Sequence, residues 1–489
     1  MIITIIKRLH IKLYFFLAIL LVLSIRTYSQ SSTPEQLLSD LIKIKSITGN
    51  EKKVGIFLSE YCKNQGLHIT TFTDNDSSFN FAASIYPLSS LKPNIIFMSH
   101  LDVVSEGESS DWKYPPFSGE IADSCIWGRG AIDCKGLATM QIQSILENIP
   151  DSLSKELAYN ITFLAVSGEE EGGLSGASII SNYHIADLNP VVIFGEGGSG
   201  LANFIPSYPE QVVFGISVAE KKALWLKLEA RNKTYGHGAA PPELYANKRL
   251  LRALIKLLDE KRLIKFGKVA RQMFREIGKM EGGIKGFVIS HIYWDVFWPL
   301  VKKYFDEGEI MHILVYNTFV ITNIYNPDIV TNKIADKAYA TLDCRLLPET
   351  NSKKFIKKIE NVVGPKINVS VIAESPGAEP SEDKTIFFKN MEKALTSEYP
   401  GSKTVPILFP ATTDNNYFRQ QNIPVYGILP IVFDQELIES VHNINERIKV
   451  EDLYKGINVY STFIQSMINP EGKTKRKFRL INSKQNKQE

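Results

Sequence analysis

Residues 161–176, ITFLAVSGEEEGGLSG, form an apolar run that ends in three consecutive acids, Glu169, Glu170 and Glu171. Acids are disfavoured at the buried end of a strand, and three together repel one another. Taken alone, such a run is ordinarily the solvated tip of a loop. Four other segments change that reading. The run NIIFMSH (94–100) closes on His100 and is followed by Leu101-Asp102. Asp133 lies in WGRGAIDCKG, Glu196 ends PVVIFGE, and His442 lies in ESVHNINERI.

One histidine alone is usually a structural residue, and one aspartate before a helix is usually a cap. Two histidines and several carboxylates at successive strand ends supply borderline nitrogen and hard oxygen donors together, a mixture suited to zinc. A donor count divides them between two ions, with His442 and Glu170 on one, His100 and Glu196 on the other, and Asp133 bridging. Ions paired at ~3.5–4 Å lower the pKa of a shared water and polarise a carbonyl. Asp102 suits the acceptor that fixes the His100 tautomer. Glu169 is left without an ion and is expected to take a proton from the water and hand it to the leaving nitrogen. Glu171 is expected to face solvent.

These residues need a frame that presents strand ends side by side, and the chain has one. TPEQLLSDLIKIKSI opens with Thr33 as N-cap and Pro34 in the first turn, and a second helix, EKKVGIFLSEYCKNQG, stops at Gly66. NIIFMSH, NITFLAVS (160–167) and PVVIFGE (190–196) are short apolar runs, separated by helical KGLATMQIQSILENI between the first two. That alternation predicts an α/β sheet, whose sites lie at the carboxyl ends of strands. From about residue 217 the pattern shifts to ALWLKLEAR (223–231), helical ANKRLLRALIKLLDEKR, then FVITNIYN and KAYATLDCRLL. This predicts a smaller α+β unit over 217–344 inserted into a catalytic unit made of 31–216 and 345–470. The stretch GFVISHIYWDVFWPLVKKYF (286–305) suggests a membrane-touching or acyl-binding surface, but Trp294, Phe297, Trp298 and Phe305 are more readily placed in a core.

A chain of 489 residues exceeds one ordinary core, and a net charge of +3 implies no nucleic-acid role. Lys7, Arg8 and Lys12 precede the apolar segment 13–25 and the small residues near Ser29. This reads as an export signal over 1–29, cleaved near Ser29, with an uncleaved anchor as the alternative, because the apolar segment falls short of the ~20 residues that span a bilayer. The protein is therefore expected in the periplasm or outside the cell. Residues 471–489 read as a solvated basic tail. Cys62, Cys125, Cys134 and Cys344 lack metal-type spacing and read as packing residues.

The segments SHLDVV, WGRGAIDCKG, SGEEEGGLSGA, FGEGG, YGHGAAPP, ATLDCRLLP, PATTDNN and VHNINERI occur in this order between about 98 and 448. In them the chain resembles the dinuclear zinc peptidases and amidohydrolases that include aminoacylase, carboxypeptidase G and succinyl-diaminopimelate desuccinylase. The aromatic stretch and AEKKALWLKLEAR look most like the carboxypeptidase S branch, which also contains hydrolases and synthases of N-fatty-acyl amino acids. The resemblance implies a mixed-sheet zinc-exopeptidase catalytic domain with an inserted α+β lid or dimerisation domain, and so a possible homodimer. It implies two Zn2+ (Co2+ or Mn2+ as substitutes) on His100, Asp133, Glu170, Glu196 and His442, with Glu169 as base and Asp102 beside His100. It further implies that His237 polarises the scissile carbonyl. Arg345, with Asn332, suits a substrate carboxylate, unless Arg345 merely pairs with an acid such as Asp343. The implied substrate is a peptide or an N-acyl amino acid, cleaved at an amide next to a free carboxylate. The alternatives are a metal-dependent aminopeptidase or dipeptidase, and a non-catalytic binding relative.

Overall fold

The computed structural model describes residues 33–149, 157–232, 236–237, 242–260, 264–305, 310–327, 333–375 and 377–468. The expected export signal and basic tail lie outside these residues, as does Asn332. Among the described residues, no helix is long and apolar enough to cross a membrane.

The larger sheet has eight strands: β1 (His68–Asp74), β2 (Phe79–Ser84), β3 (Asn94–His100), β4 (Asn160–Val166), β5 (Pro190–Leu201), β6 (Val213–Glu220), β11 (Lys403–Phe409) and β12 (Val425–Phe433). Their spatial order is β1-β2-β4-β3-β5-β12-β6-β11. β3 runs parallel to both β4 and β5, while β1 and β2 form an antiparallel end. Every residue of β3 and β4 is buried, which requires layers on both faces. Phe97 packs on one side against Phe194, Tyr460 and Phe463. Its neighbours Ile96 and Met98 point to the other side, where Ile180 and Phe418 lie.

The helices follow the sequence signals. Thr33 caps Pro34–Lys43 by accepting from Gln36 N–H at 3.4 Å, and Gly66 ends the next helix at φ +94°. Lys135–Leu146 is buried on nearly all sides. Its Lys135 ammonium donates to the carbonyls of Leu41 (3.0 Å) and Ile44 (2.9 Å), the negative end of the first helix. All four cysteines are buried and free.

A second, antiparallel sheet contains β7 (Lys222–Arg231), β8 (Thr318–Tyr325), β9 (Lys337–Leu346) and β10 (Ile367–Glu374), in the order β8-β9-β7-β10. Helices Ala246–Leu258 and Ser352–Val363 cover its apolar face. Two features depart from the expected 217–344 unit. The small sheet reaches Glu374, because Ile359, Val363 and Ile367 complete its core. The described residues of 268–316 (268–305 and 310–316), by contrast, leave that core and pack on the edge of the large sheet. There Ala270, Met273, Phe274, Phe305 and Leu314 meet Val213 and Val405. Alternation along a strand shows which face is buried but not which neighbour buries it. The aromatic stretch divides accordingly. Phe305 is core and Trp298 packs against it, whereas Trp294 is 44% exposed and stacks on Phe297 at 5.9 Å.

Candidate metal centre

Asp133 stands at the middle of the cluster. Its Oδ1 lies 2.9 Å from His100 Nε2 and its Oδ2 lies 3.0 Å from His442 Nε2, so each oxygen faces a different imidazole. His100 Nε2 is also 3.6 Å from Glu196 Oε2, and His442 Nε2 is 3.3 Å from Glu170 Oε1. The five residues expected as ligands therefore converge. Donor atoms of His100, Asp133, Cys134 and Glu196 lie within 4.8 Å of one another, as do those of Asp133, Glu170 and His442. Glu169 joins a third set with His100 and Glu170, while Glu171 is exposed.

Three elements bring these groups together. His100 is the last residue of β3, and Glu169 and Glu170 form the turn after β4. Glu196, expected at a strand end, lies inside β5. That strand continues to Leu201 along β6, through Gly197 (φ +151°), where a Cβ would come within 2.9 Å of Gly427 Cα. His442 itself holds a left-handed backbone at φ 58°.

Asp102 does more than the sequence suggested. Its carbonyl oxygen is 2.9 Å from His100 Nδ1, nearer than its carboxylate at 3.5 Å. The carboxylate instead accepts from the backbone N–H groups of Glu169 and Glu170, both at 3.1 Å, and from Thr48 Oγ1 at 2.9 Å. Asp102 thus links the imidazole to the acidic turn.

Two residues were missed. Glu446, fully buried, accepts from Ile132 N–H (2.9 Å) and Asp133 N–H (3.1 Å) with one oxygen. The other oxygen accepts from Gly130 N–H (3.0 Å) and Arg129 (2.8 Å). One turn of chain therefore holds Asp133 twice, by its carboxylate through His442 and by its backbone through Glu446. Asp414, in PATTDNN, is 4% exposed and, among the described residues, neither carboxylate oxygen has a hydrogen-bond partner. It lines a recess with His100 and Glu196. The available signal was only that Asp414 and Glu446 lie in PATTDNN and VHNINERI, two of the segments that carry the resemblance.

The electrostatics fit a cation. Burial, reinforced by Asp133 and Glu170 and opposed by His100, pushes the Glu196 carboxyl up to about 7. Burial followed by the Glu196 charge raises Glu169 well above the carboxylate range. Burial also raises Asp414, with Asp102, Glu196 and Glu220 adding to it. The hydrogen bond that His442 donates to the Asp133 carboxylate, and then the Glu170 carboxylate beside it, carry His442 up to about 10. The Cys134 thiol, placed in the donor set although it reads from sequence as packing, is pushed up to about 12 by burial. Glu170 Oε1 is buried without a hydrogen bond. A divalent metal held by these residues would offset the repelling acids around the shared imidazoles.

The expected substrate groups are placed differently. The Arg345 guanidinium pairs with Asp343 at 3.0 Å and reaches Thr412 Oγ1 at 3.3 Å. Asp343 also accepts from Trp225 Nε1 at 3.2 Å. His237 is described only in its backbone, which pairs with Lys333.

Residues 96–466 match the model of peptidase family M20/M25/M40. The N-fatty-acyl-amino acid synthase/hydrolase PM20D1 of Mus musculus is 28% identical over 384 residues, covering 77% of this chain and 74% of the relative. The probable carboxypeptidase S-like 2 of Dictyostelium discoideum is 27% identical, covering 77% and 72%. Among solved structures, the M20 family metallo-carboxypeptidase Sso-CP2 of Sulfolobus solfataricus superposes with a TM-score of 0.66 at 19% identity, over 89% of this chain and 99% of that one. The fold and the family match agree with the residue chemistry: this chain belongs to peptidase family M20/M25/M40 and is a hydrolase of that family.

Proposed function

We propose that the protein is a two-zinc hydrolase that cleaves an amide bond next to a free carboxylate, in a carboxypeptidase or N-acyl amino acid substrate. The observation that carries this reading is Asp133 between two imidazoles, with Glu169 left over among the acids. His100 and Glu196 would hold one ion, Glu170 and His442 the other, and Asp133 both. When bound, such a pair polarises the scissile carbonyl and lowers the pKa of the attacking water.

The chain's own groups do the rest. Glu169 Oε accepts the proton of the attacking water and returns it to the leaving nitrogen. Asp102 keeps Glu169 in place through its backbone N–H and orients His100. His237 would donate to the carbonyl oxygen as negative charge develops there. Arg345, with Asn332, would grip the substrate carboxylate, which must then compete with Asp343. The inserted unit would serve as the lid, with Arg345 on its small sheet, and the first 29 residues would direct export.

The test is a screen of dipeptides, N-acyl amino acids and their amides with zinc, manganese or cobalt added. The expected result is metal-dependent hydrolysis that needs the free carboxylate. Cleavage that needs a free amino terminus and ignores the carboxylate would instead indicate an aminopeptidase. N-terminal sequencing of exported protein is expected to start near Gln30, and recovery of LYFFLAILL would argue for an anchor.

A further inference from the structure

The donor sets on the two sides of Asp133 are unequal. On one side the set is Asp133, Glu170 and His442, and the His442 side chain is 49% exposed. On the other side the set is larger and more deeply buried: His100, Asp133, Glu196 and the thiol of Cys134. We infer that Cys134 is a sulfur donor to the ion expected on His100 and Glu196, which makes that ion the more tightly held of the two and biases it towards zinc. The inference rests on the two-zinc reading above and adds to it a residue that the sequence pattern placed in the core.

Three observations favour a ligand over a packing residue. The first is distance. Bonds of ~2.3 Å to sulfur and ~2.0–2.1 Å to nitrogen or oxygen put two donors of one zinc ion up to ~4.4 Å apart. Donor atoms that already lie within 4.8 Å of one another need only a small contraction to share an ion. The second is placement. Cys134, Asp133 and Glu196 together line the cavity that opens beside the cluster between β5, β6 and β11, so the thiol stands among the donors at that opening. The third is an independent call for charge on this side. Asp414 is buried, neither of its carboxylate oxygens has a hydrogen-bond partner among the described residues, and it lines a recess with His100 and Glu196. An unpaired buried acid against this donor set requires a nearby cation.

The backbone holds Cys134 in place from both sides. Before it, Glu446 accepts from the N–H groups of Gly130, Ile132 and Asp133. After it, the Cys134 carbonyl accepts from Ala138 N–H at 3.0 Å in the first turn of helix Lys135–Leu146. A side chain held in this way is preorganised as a ligand. The thiol proton leaves to solvent as the ion binds, because a coordinated thiol is held as thiolate. Thiolate is a soft donor that selects zinc, whereas carboxylate oxygens suit manganese. The His100 side is thus built to retain its ion and the His442 side to exchange it.

The experiment loads the metal-free full chain with cobalt(II) and records the near-ultraviolet spectrum. A thiolate bound to cobalt gives a charge-transfer band there that imidazole and carboxylate donors do not. The band is expected with the first equivalent, and it should vanish in Cys134→Ser, which keeps Cys62, Cys125 and Cys344. Cys134→Ala gives the same test if the serine variant does not fold. Competition with a chelator should strip zinc from the wild type in two steps. Cys134→Ser should weaken the tighter step at least about tenfold and lower the preference for zinc over manganese. Cobalt bound at two equivalents without the band, a band that survives in Cys134→Ser, or an unchanged tighter step overturns the inference and leaves the two-ion reading intact. Failure to bind cobalt or zinc at all removes that reading, and the inference with it.

Discussion

The metal cluster and the Arg345 region differ in who satisfies their charges. Around Asp133, buried residues outside the donor set hold the frame: Glu446 binds four groups of the 129–133 loop, and Asp102 binds three. The donors themselves are left facing one another, and beside them neither oxygen of Asp414 accepts a hydrogen bond from any described residue. Arg345 is 31% exposed, and its charge is already met by Asp343, which Trp225 also holds. A site built for a cation leaves its acids under mutual repulsion, held rigid from behind. A site for a substrate anion can keep a weak internal partner and exchange it on binding, because exposed pairs contribute only ~0–1 kcal/mol.

The largest effect should follow Asp133→Ala. Metal analysis should show both ions lost and activity with them, since this carboxylate faces both imidazoles and would bridge the proposed pair. Two equivalents retained would mean that the bridge has been misplaced. Glu169→Gln should keep both equivalents but lower turnover by about 10²–10⁴. Near-normal turnover, in protein shown to be free of wild type, would remove Glu169 from the proton path.

Glu446→Gln sharpens the contrast from the second layer. An amide oxygen can replace one acceptor but not both, so metal affinity should fall by about 10- to 100-fold in competition with a chelator. Unchanged affinity would show that the loop holds itself. In the other region, Arg345→Ala should raise KM for free-acid substrates about 10- to 100-fold and that of the matching amides much less. Equal losses on acids and amides would leave Arg345 as a structural partner of Asp343. Asp343→Asn should give the smallest change, lowering KM for free acids up to about fivefold by freeing the guanidinium.

The sequence carried the cluster well, because its donors follow buried strands whose apolar runs fix where each strand ends. NIIFMSH delivered His100 at the last residue of β3 as expected. Glu196 was placed at a strand end and lies within one, since glycines after it let β5 continue. Glu446 was hidden because its partners are backbone N–H groups about 300 residues away, which no local pattern encodes. The segment 268–316 was assigned to the wrong neighbour for a related reason. Its amphipathic spacing announces a buried face, but both sheets offered one to cover.

The central claim is a two-ion centre divided by Asp133, and anomalous diffraction from crystals of the zinc-reconstituted protein, recorded across the zinc edge, tests it most directly. Two peaks are expected on opposite sides of the Asp133 carboxylate, one against His100 and Glu196 and the other against Glu170 and His442. A single peak, or two peaks that leave Asp133 unshared, would contradict it.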